Sequence, residues 1–223
     1  ILPAEFSDSL DLLAECELPV VLIDEAVYRD GIGFIDHDSC SGSRDALKYL
    51  LELGHRNIGY IEACTPTLNH IQRYKAYENT MNEAGLDLRP DWRIKVDPSR
   101  HIFAGGQAAM QKLLTRAPEL SAVMTTNDMI AIGAMHGALE MGRRIPEDIS
   151  IIGFDNYKHT EFLNPSLTTV NHPIEEAGFL AAKSIDECLK NPRTAKQQLP
   201  HEILPTRLII RQSTARSIQK LDQ

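Results

Sequence analysis

The sequence has no Gly-x-Ser-x-Gly elbow, no Gly-Lys-Ser/Thr phosphate loop and no His-Glu-x-x-His pair, which removes the common hydrolase, nucleotide and zinc-protease signatures. With no nucleophile, metal cluster or phosphate loop standing out, an enzyme is not expected, and no cofactor is implied. A run of about 18 apolar residues and a basic, apolar leader are likewise missing, so neither a membrane span nor a signal peptide is visible. Four cysteines, Cys16, Cys40, Cys64 and Cys188, are scattered without Cys-x-x-Cys spacing. That usage fits a reducing compartment better than a disulfide framework, and the chain reads as cytoplasmic. Positive charge is in deficit: 23 Lys and Arg stand against 31 Asp and Glu, a formal net charge of -8. A chain of this balance does not itself grip a phosphate backbone, which needs clustered Lys and Arg. Internal repeats and low-complexity segments are also lacking.

What is present is an ordinary globular composition, 43% hydrophobic and 24% charged over 223 residues, enough to bury one large core or two modest ones. Short apolar runs alternate with amphipathic stretches. Strands are expected at 19–24, 57–61, 92–96, 122–125, 150–154, 167–170 and 207–210, and helices at 42–53, 69–84, 103–114, 127–141 and 174–189. Such alternation marks an α/β fold with parallel sheets covered on both faces. Gly54, Gly85 and Gly142 close helices, and Pro146 and Pro165 keep connections non-helical. The opening Ile1-Leu2-Pro3-Ala4 resembles the end of a strand running into a loop.

In open α/β sheets ligands collect beyond the carboxyl ends of strands, where helix N-termini supply donors. Four such ends carry polar side chains: 62–73, Thr126-Asn127-Asp128, Asp155-Asn156 and Asn171-His172. Arg73 lies near a helix start, where the dipole disfavours a cation, so it wants an acceptor, either a ligand or a surface salt bridge. Asn127 is placed to cap the following helix. Asp155 can accept two hydrogen bonds from a ligand or close an Asx-turn. Ile35-Asp-His-Asp-Ser-Cys40 gathers metal-ligand types without a second matching cluster, so no metal site is expected. Gly31-x-Gly33 lacks the third glycine of a dinucleotide loop and reads as a turn before a strand. His55, just past Gly54, reads as a structural histidine rather than a base.

The order of motifs resembles the LacI/GalR family of transcription regulators. It runs through Pro19-Val-Val-Leu-Ile-Asp24, Leu50-Leu-Glu-Leu-Gly-His-Arg-Asn-Ile-Gly-Tyr-Ile61, Arg73, Thr126-Asn-Asp-Met-Ile-Ala-Ile-Gly-Ala134 and Arg144-Ile-Pro-Glu-Asp-Ile-Ser-Ile-Ile-Gly-Phe-Asp-Asn156. It continues through Pro165-Ser-Leu-Thr-Thr-Val170, Gly178 with Ala181-Ala182, and Leu204-Pro-Thr-Arg-Leu-Ile-Ile-Arg211. The resemblance implies two doubly wound parallel-sheet lobes of the periplasmic binding protein-like type I, joined by three crossovers. Lobe one would be residues 1–63 plus 172–196, the other 64–171 plus 197–213, with 214–223 as a tail. It implies a small polar effector, a sugar, sugar derivative or nucleobase-like molecule, bound in the inter-lobe cleft to control DNA binding. The lining set carried over by position is Ser41, Thr67, Asn69, Arg73, Arg100, Asn127, Asp155 and His172, with Arg73 and Asp155 on opposite walls. Arg100 stands where family members often place a stacking aromatic ring.

The resemblance also implies a homodimer that meets DNA only through an N-terminal helix-turn-helix domain. Neither that domain nor the first strands of lobe one precede Ile1 here, so the first lobe is expected to be incomplete and the chain N-terminally truncated, proteolysed or part of a swapped dimer. A periplasmic or transporter-linked solute-binding protein with the same lobes is the alternative.

Overall fold

A computed structural model describes residues 4–64, 67–190 and 199–217. The expectations placed on Ile1–Pro3, on 191–198 and on the end of the tail, 218–223, lie outside the described residues. The chain divides into two compact units, 1–38 with 173–205, and 39–172 with 206–223.

The first unit holds helix α1 (Ala4–Glu15), strands β1 (Val20–Ile23), β2 (Ile32–His37) and β8 (His201–Leu204), and helix α6 (Ile174–Lys190). Its sheet is parallel, in the order β1-β2-β8. Ile35 and Leu204 pack there with Ala177 and Ala181 of α6, small residues that let the helix lie close to the strands. Ala4 begins a helix, not the end of a strand. Gly33 is not in a turn but inside β2, where an added Cβ would lie 2.9 Å from Leu199 Cβ and from the Pro200 carbonyl oxygen. Gly31, at φ 80°, makes the turn.

The second unit is built on a six-stranded sheet in the order β4-β3-β5-β6-β7-β9. Its strands are β3 (Ile58–Glu62), β4 (Arg93–Lys95), β5 (Ala122–Thr125), β6 (Ser150–Asp155), β7 (Thr168–Asn171) and β9 (Arg207–Ile209). β3 to β7 pair in parallel, and β9 closes the edge antiparallel to β7. Every residue of β3 and β5 is buried, as both faces of a covered parallel sheet require. The helices are α2 (Ser39–Glu52), α3 (Leu68–Glu83), α4 (Ile102–Arg116) and α5 (Asp128–Glu140). The chain steps outward from β3 to β4, then back past β3 to β5. Because parallel crossovers are right-handed, α3 must cover one face and α4 and α5 the other. α2 packs on α3, and α4 on α5.

The lobe boundary expected after residue 63 falls instead at 38/39. α2 and β3 belong to the larger unit, since β3 pairs with both β4 and β5 there. The core of that unit centres on Ile58, Tyr60, Ile61, Met110, Leu113, Val123, Ile151 and Ile152. α4 and α5 approach so closely that a Cβ on Gly133 would collide with the Phe103 carbonyl and one on Gly106 with the Ile130 carbonyl. Both contacts are with backbone, which cannot swing aside. Gly133→Ala is therefore expected to destabilise the chain by about 1–3 kcal/mol, read from the urea unfolding midpoint, whereas the same change at Gly178, where nothing lies within 4 Å, should not.

Candidate functional site

The strand order reverses between β3 and β5, and the crevice beyond the carboxyl ends at such a switch point is where open α/β sheets present ligand groups. Two hydrogen bonds knit these ends together: Ala63 N–H donates to Thr126 Oγ1 (3.0 Å), and Thr126 N–H to the Ile61 carbonyl (3.0 Å). Glu62, at the end of β3, is buried and accepts from Arg93 Nη2 and Nε at 2.6 and 2.8 Å.

Arg73 rises from α3 into this region and is only 4% exposed. A guanidinium cannot be deprotonated there, so its donors must be met. Nε donates to Ser39 Oγ (3.3 Å), and Nη1 donates to the Thr126 carbonyl (2.7 Å) and lies 3.5 Å from Asp155 Oδ1. Its guanidinium carbon sits 3.5 Å from the centre of the Phe154 ring. Arg73 and Asp155, expected on opposite walls, are thus an ion pair within one unit. The pairing joins the end of β6 to α3 across the sheet ends.

Asp155 and Asn156 have φ of 120° and 56°, conformations that non-glycine residues adopt at a cost of about 1–3 kcal/mol each. Such a turn persists only if its surroundings over-determine it. Asn156 N–H donates to Thr169 Oγ1 (3.3 Å), its side-chain amide donates to Asn171 Oδ1 (2.9 Å), and its own Oδ1 accepts from Arg211 Nη2 (2.6 Å). Tyr157 N–H donates to Asp128 Oδ2 (2.9 Å), whose other oxygen accepts from the Thr169 hydroxyl (2.6 Å). The Asp155 carboxylate at this turn lies beside Arg73.

The other expected residues fall into two groups. Asn127, Thr67 and Asn69 stand at helix starts in the same unit. Asn127 caps α5, accepting from Ile130 N–H at 3.0 Å, and Thr67 caps α3 in a reciprocal box with His70, both bonds at 3.3 Å. Capping, the role read from the Asn127 sequence context, is present in the structure. Asn69 is buried on the same turn of α3 that leads to Arg73. His172 N–H donates to the Asp155 carbonyl at 3.4 Å, so its backbone adjoins the strained turn. Ser41 lies in the first turn of α2 and accepts from Arg44 Nη2. Arg100 is exposed beyond β4, its Nε 3.7 Å from Asp97 Oδ2. All eight residues belong to the second unit.

Sequence reasoning missed Ser39, Phe154, Thr169 and Arg211, and it placed Asp128 and Asn171 at strand ends without giving either a role. Asp128 and Phe154 flank residues already singled out, and their adjacency was the available signal. His55 has the structural role expected: its ring nitrogens meet Ser121 Oγ (2.9 Å) and the Ala215 carbonyl (3.0 Å). In the Ile35–Cys40 segment, His37 Nδ1 lies 3.3 Å from Asp24 and from Asp36 carboxylate oxygens within the first unit. The four cysteines are free thiols. Among the described residues no helix is long and apolar enough to cross a membrane.

The chain matches the periplasmic binding protein-like domain over residues 47–214 and belongs to that family. Within it, the similarity is to effector-binding domains of LacI/GalR-type regulators. The chain is 33% identical over 219 residues to the HTH-type transcriptional repressor PurR of Histophilus somni (strain 129Pt), a match covering 96% of this chain and 63% of that protein. It is 32% identical over 203 residues to the ribose operon repressor of Haemophilus influenzae, covering 91% of this chain and 59% of that one. It therefore spans about three fifths of the curated relatives it matches. Among solved structures, a LacI family transcriptional regulator from Enterococcus faecium with bound ribose is 30% identical with a TM-score of 0.78, over 89% of this chain and 71% of that chain. Its counterpart from Enterococcus faecalis V583, also with bound ribose, is 27% identical with a TM-score of 0.81, over 97% and 77%.

Two outcomes follow from the site's construction. Asn127→Ala should cost about 1 kcal/mol of stability through the lost cap, measured by urea unfolding without ligand. Burial holds the His55 imidazole below its ordinary 6.5, with the nearby Arg56 charge adding to this and the Ala215 bond opposing it. The folded chain thus takes up this proton less readily than the unfolded one. The stability it contributes is full above about pH 6.5 and is lost as pH falls; His55→Asn should flatten that part of the pH–stability curve.

Proposed function

We propose that this chain is the sensing part of a LacI-type transcription regulator, and that it binds a small, hydroxyl-rich effector at the wall built around Arg73 and Asp155. The observation that carries the reading is that pair: a buried guanidinium and a carboxylate held by strained backbone, side by side beyond the strand ends. A charged donor next to a charged acceptor matches neighbouring hydroxyls, each of which can accept from one and donate to the other. Two structural relatives crystallised with ribose support a sugar of this kind, and Asn69, Thr67, Asn127, Ser41 and His172 are proposed to complete the lining, with Arg100 at its margin.

In the whole protein, effector occupancy would shift the population between conformations that differ in how DNA-binding domains are presented, the reach of a sensor being set by its differential affinity for the two states. A homodimer carrying those domains, working in the cytoplasm, is part of the same proposal. The net charge of -8 supports leaving DNA contact to a separate domain.

Calorimetry with D-ribose tests the site. Arg73→Ala and Asp155→Ala should each weaken binding ten-fold or more, on the order of 1.4 kcal/mol, because the partner groups lose their bonds. Unchanged affinity in both variants would show that the wall is not the binding surface. D-ribose at about 100 times its dissociation constant should also add about 2.7 kcal/mol of stability in a thermal-shift series against hypoxanthine; a response to the purine base alone would redirect the ligand class.

A further inference from the structure

Asp128 takes no part in the wall itself, yet it is completely buried at the first turn of α5. A buried carboxylate needs partners, and its two oxygens are divided between two elements. Oδ2 accepts from the Tyr157 backbone N–H at 2.9 Å and Oδ1 from the Thr169 hydroxyl of β7 at 2.6 Å. Thr169 Oγ1 in turn accepts from Asn156 N–H at 3.3 Å. Both residues that follow Asp155 are therefore tied, directly or through one hydroxyl, to this single carboxylate. Space has been cleared for it as well: a Cβ on Gly153 would collide with Asp128 Oδ1.

We propose that Asp128 is a positioning residue for the ligand wall, a clamp whose carboxylate holds the Asn156–Tyr157 backbone and so keeps Asp155 in its left-handed conformation facing Arg73, and that protonating the clamp loosens it. The proposal rests on the reading of Arg73 and Asp155 as the ligand-binding pair.

The charged groups that face Asp128 are Asp155 at the end of β6 and Arg211 beyond β9, with Arg73 of α3 reaching it through Asp155; β7 contributes only the neutral Thr169. Burial, reinforced by the Asp155 charge, pushes the Asp128 carboxyl up to about 7, while the bonds from Thr169 and Tyr157 and the Arg211 charge hold it down. The carboxylate therefore changes protonation near neutrality. Charge-assisted bonds to it are roughly twice as strong as neutral ones, so the N–H of Tyr157 is held best when Asp128 is ionised.

Backbone amide NMR and hydrogen exchange on the full chain, followed from about pH 5.5 to 8.5, read the clamp without any ligand. The Tyr157 and Asn156 amide shifts should titrate with a midpoint near 7, and Tyr157 exchange, corrected for intrinsic pH dependence, should be slowed several-fold on the alkaline side. Asp128→Asn, which keeps the volume, should abolish the titration. Thr169→Val, which removes one bond to the carboxylate, should move the midpoint upward. D-ribose affinity should fall several-fold as pH drops through the same midpoint in the wild-type chain and stay level in Asp128→Asn. Amides that titrate identically in wild type and Asp128→Asn overturn the proposal, as does a ribose pH profile that survives the substitution. If wild-type chain binds no ribose while its amides titrate as described, the clamp stands and the choice of ligand fails.

Discussion

Burying a guanidinium sets the terms for the rest of the larger unit. Arg73 carries its charge into the sheet ends at 4% exposure, and no shift in protonation can relieve it. Three neighbouring segments supply something in return: Ser39 from the start of α2, the Thr126 carbonyl from beyond β5, and the Phe154 ring and the Asp155 carboxylate from β6. Removing one partner of a buried, hydrogen-bonded charge is costly, whereas the complete set rigidifies what it joins. The arginine thus ties α2, α3 and the ends of β5 and β6 into one frame at the carboxyl ends of the strands.

The second constraint is the strained turn that brings Asp155 into that frame. Left-handed backbone at two successive non-glycine residues is unfavourable in isolation, and it persists here through Thr169, Asn171, Arg211 and Asp128. Strain held by a polar network is preorganisation: in the proposed role the carboxylate would need no reorientation to meet a hydroxyl, and less of the binding free energy would be lost to ordering. Within that network Asp128 is held by neutral donors, a backbone N–H and a hydroxyl, which ties the electrostatics of the wall to its backbone geometry.

Much of the architecture was legible in the chain because parallel strands buried on both faces leave near-continuous apolar runs, as in Ile58-Gly-Tyr-Ile61 and Ser150-Ile-Ile-Gly-Phe154. The elements that escaped notice have weaker patterns. α1 begins at Ala4, the last of the four opening residues, with no strong apolar period ahead of it, and β8, with three exposed residues, His201 to Ile203, has no apolar run to betray it. The unit boundary was placed too late because β3 reads the same in either lobe; only its pairing with β4 and β5 decides its sheet.

The amino-acid sequence by itself determined the alternation of strands and helices, the glycines that end them, the deficit of positive charge, and the polar residues that follow the strands. Each of these depends on near neighbours along the chain, where periodicity and turn chemistry operate. Only the tertiary structure decided that Arg73 meets Asp155, 82 positions later, that Asn156 is held by Arg211, and that a buried aspartate one place after the cap accepts from the Tyr157 N–H. Those contacts arise from strand order and crossover direction, which bring distant loops to one end of the sheet. No local pattern carries that information, since the order β4-β3-β5 is settled by long-range pairing rather than by any one segment.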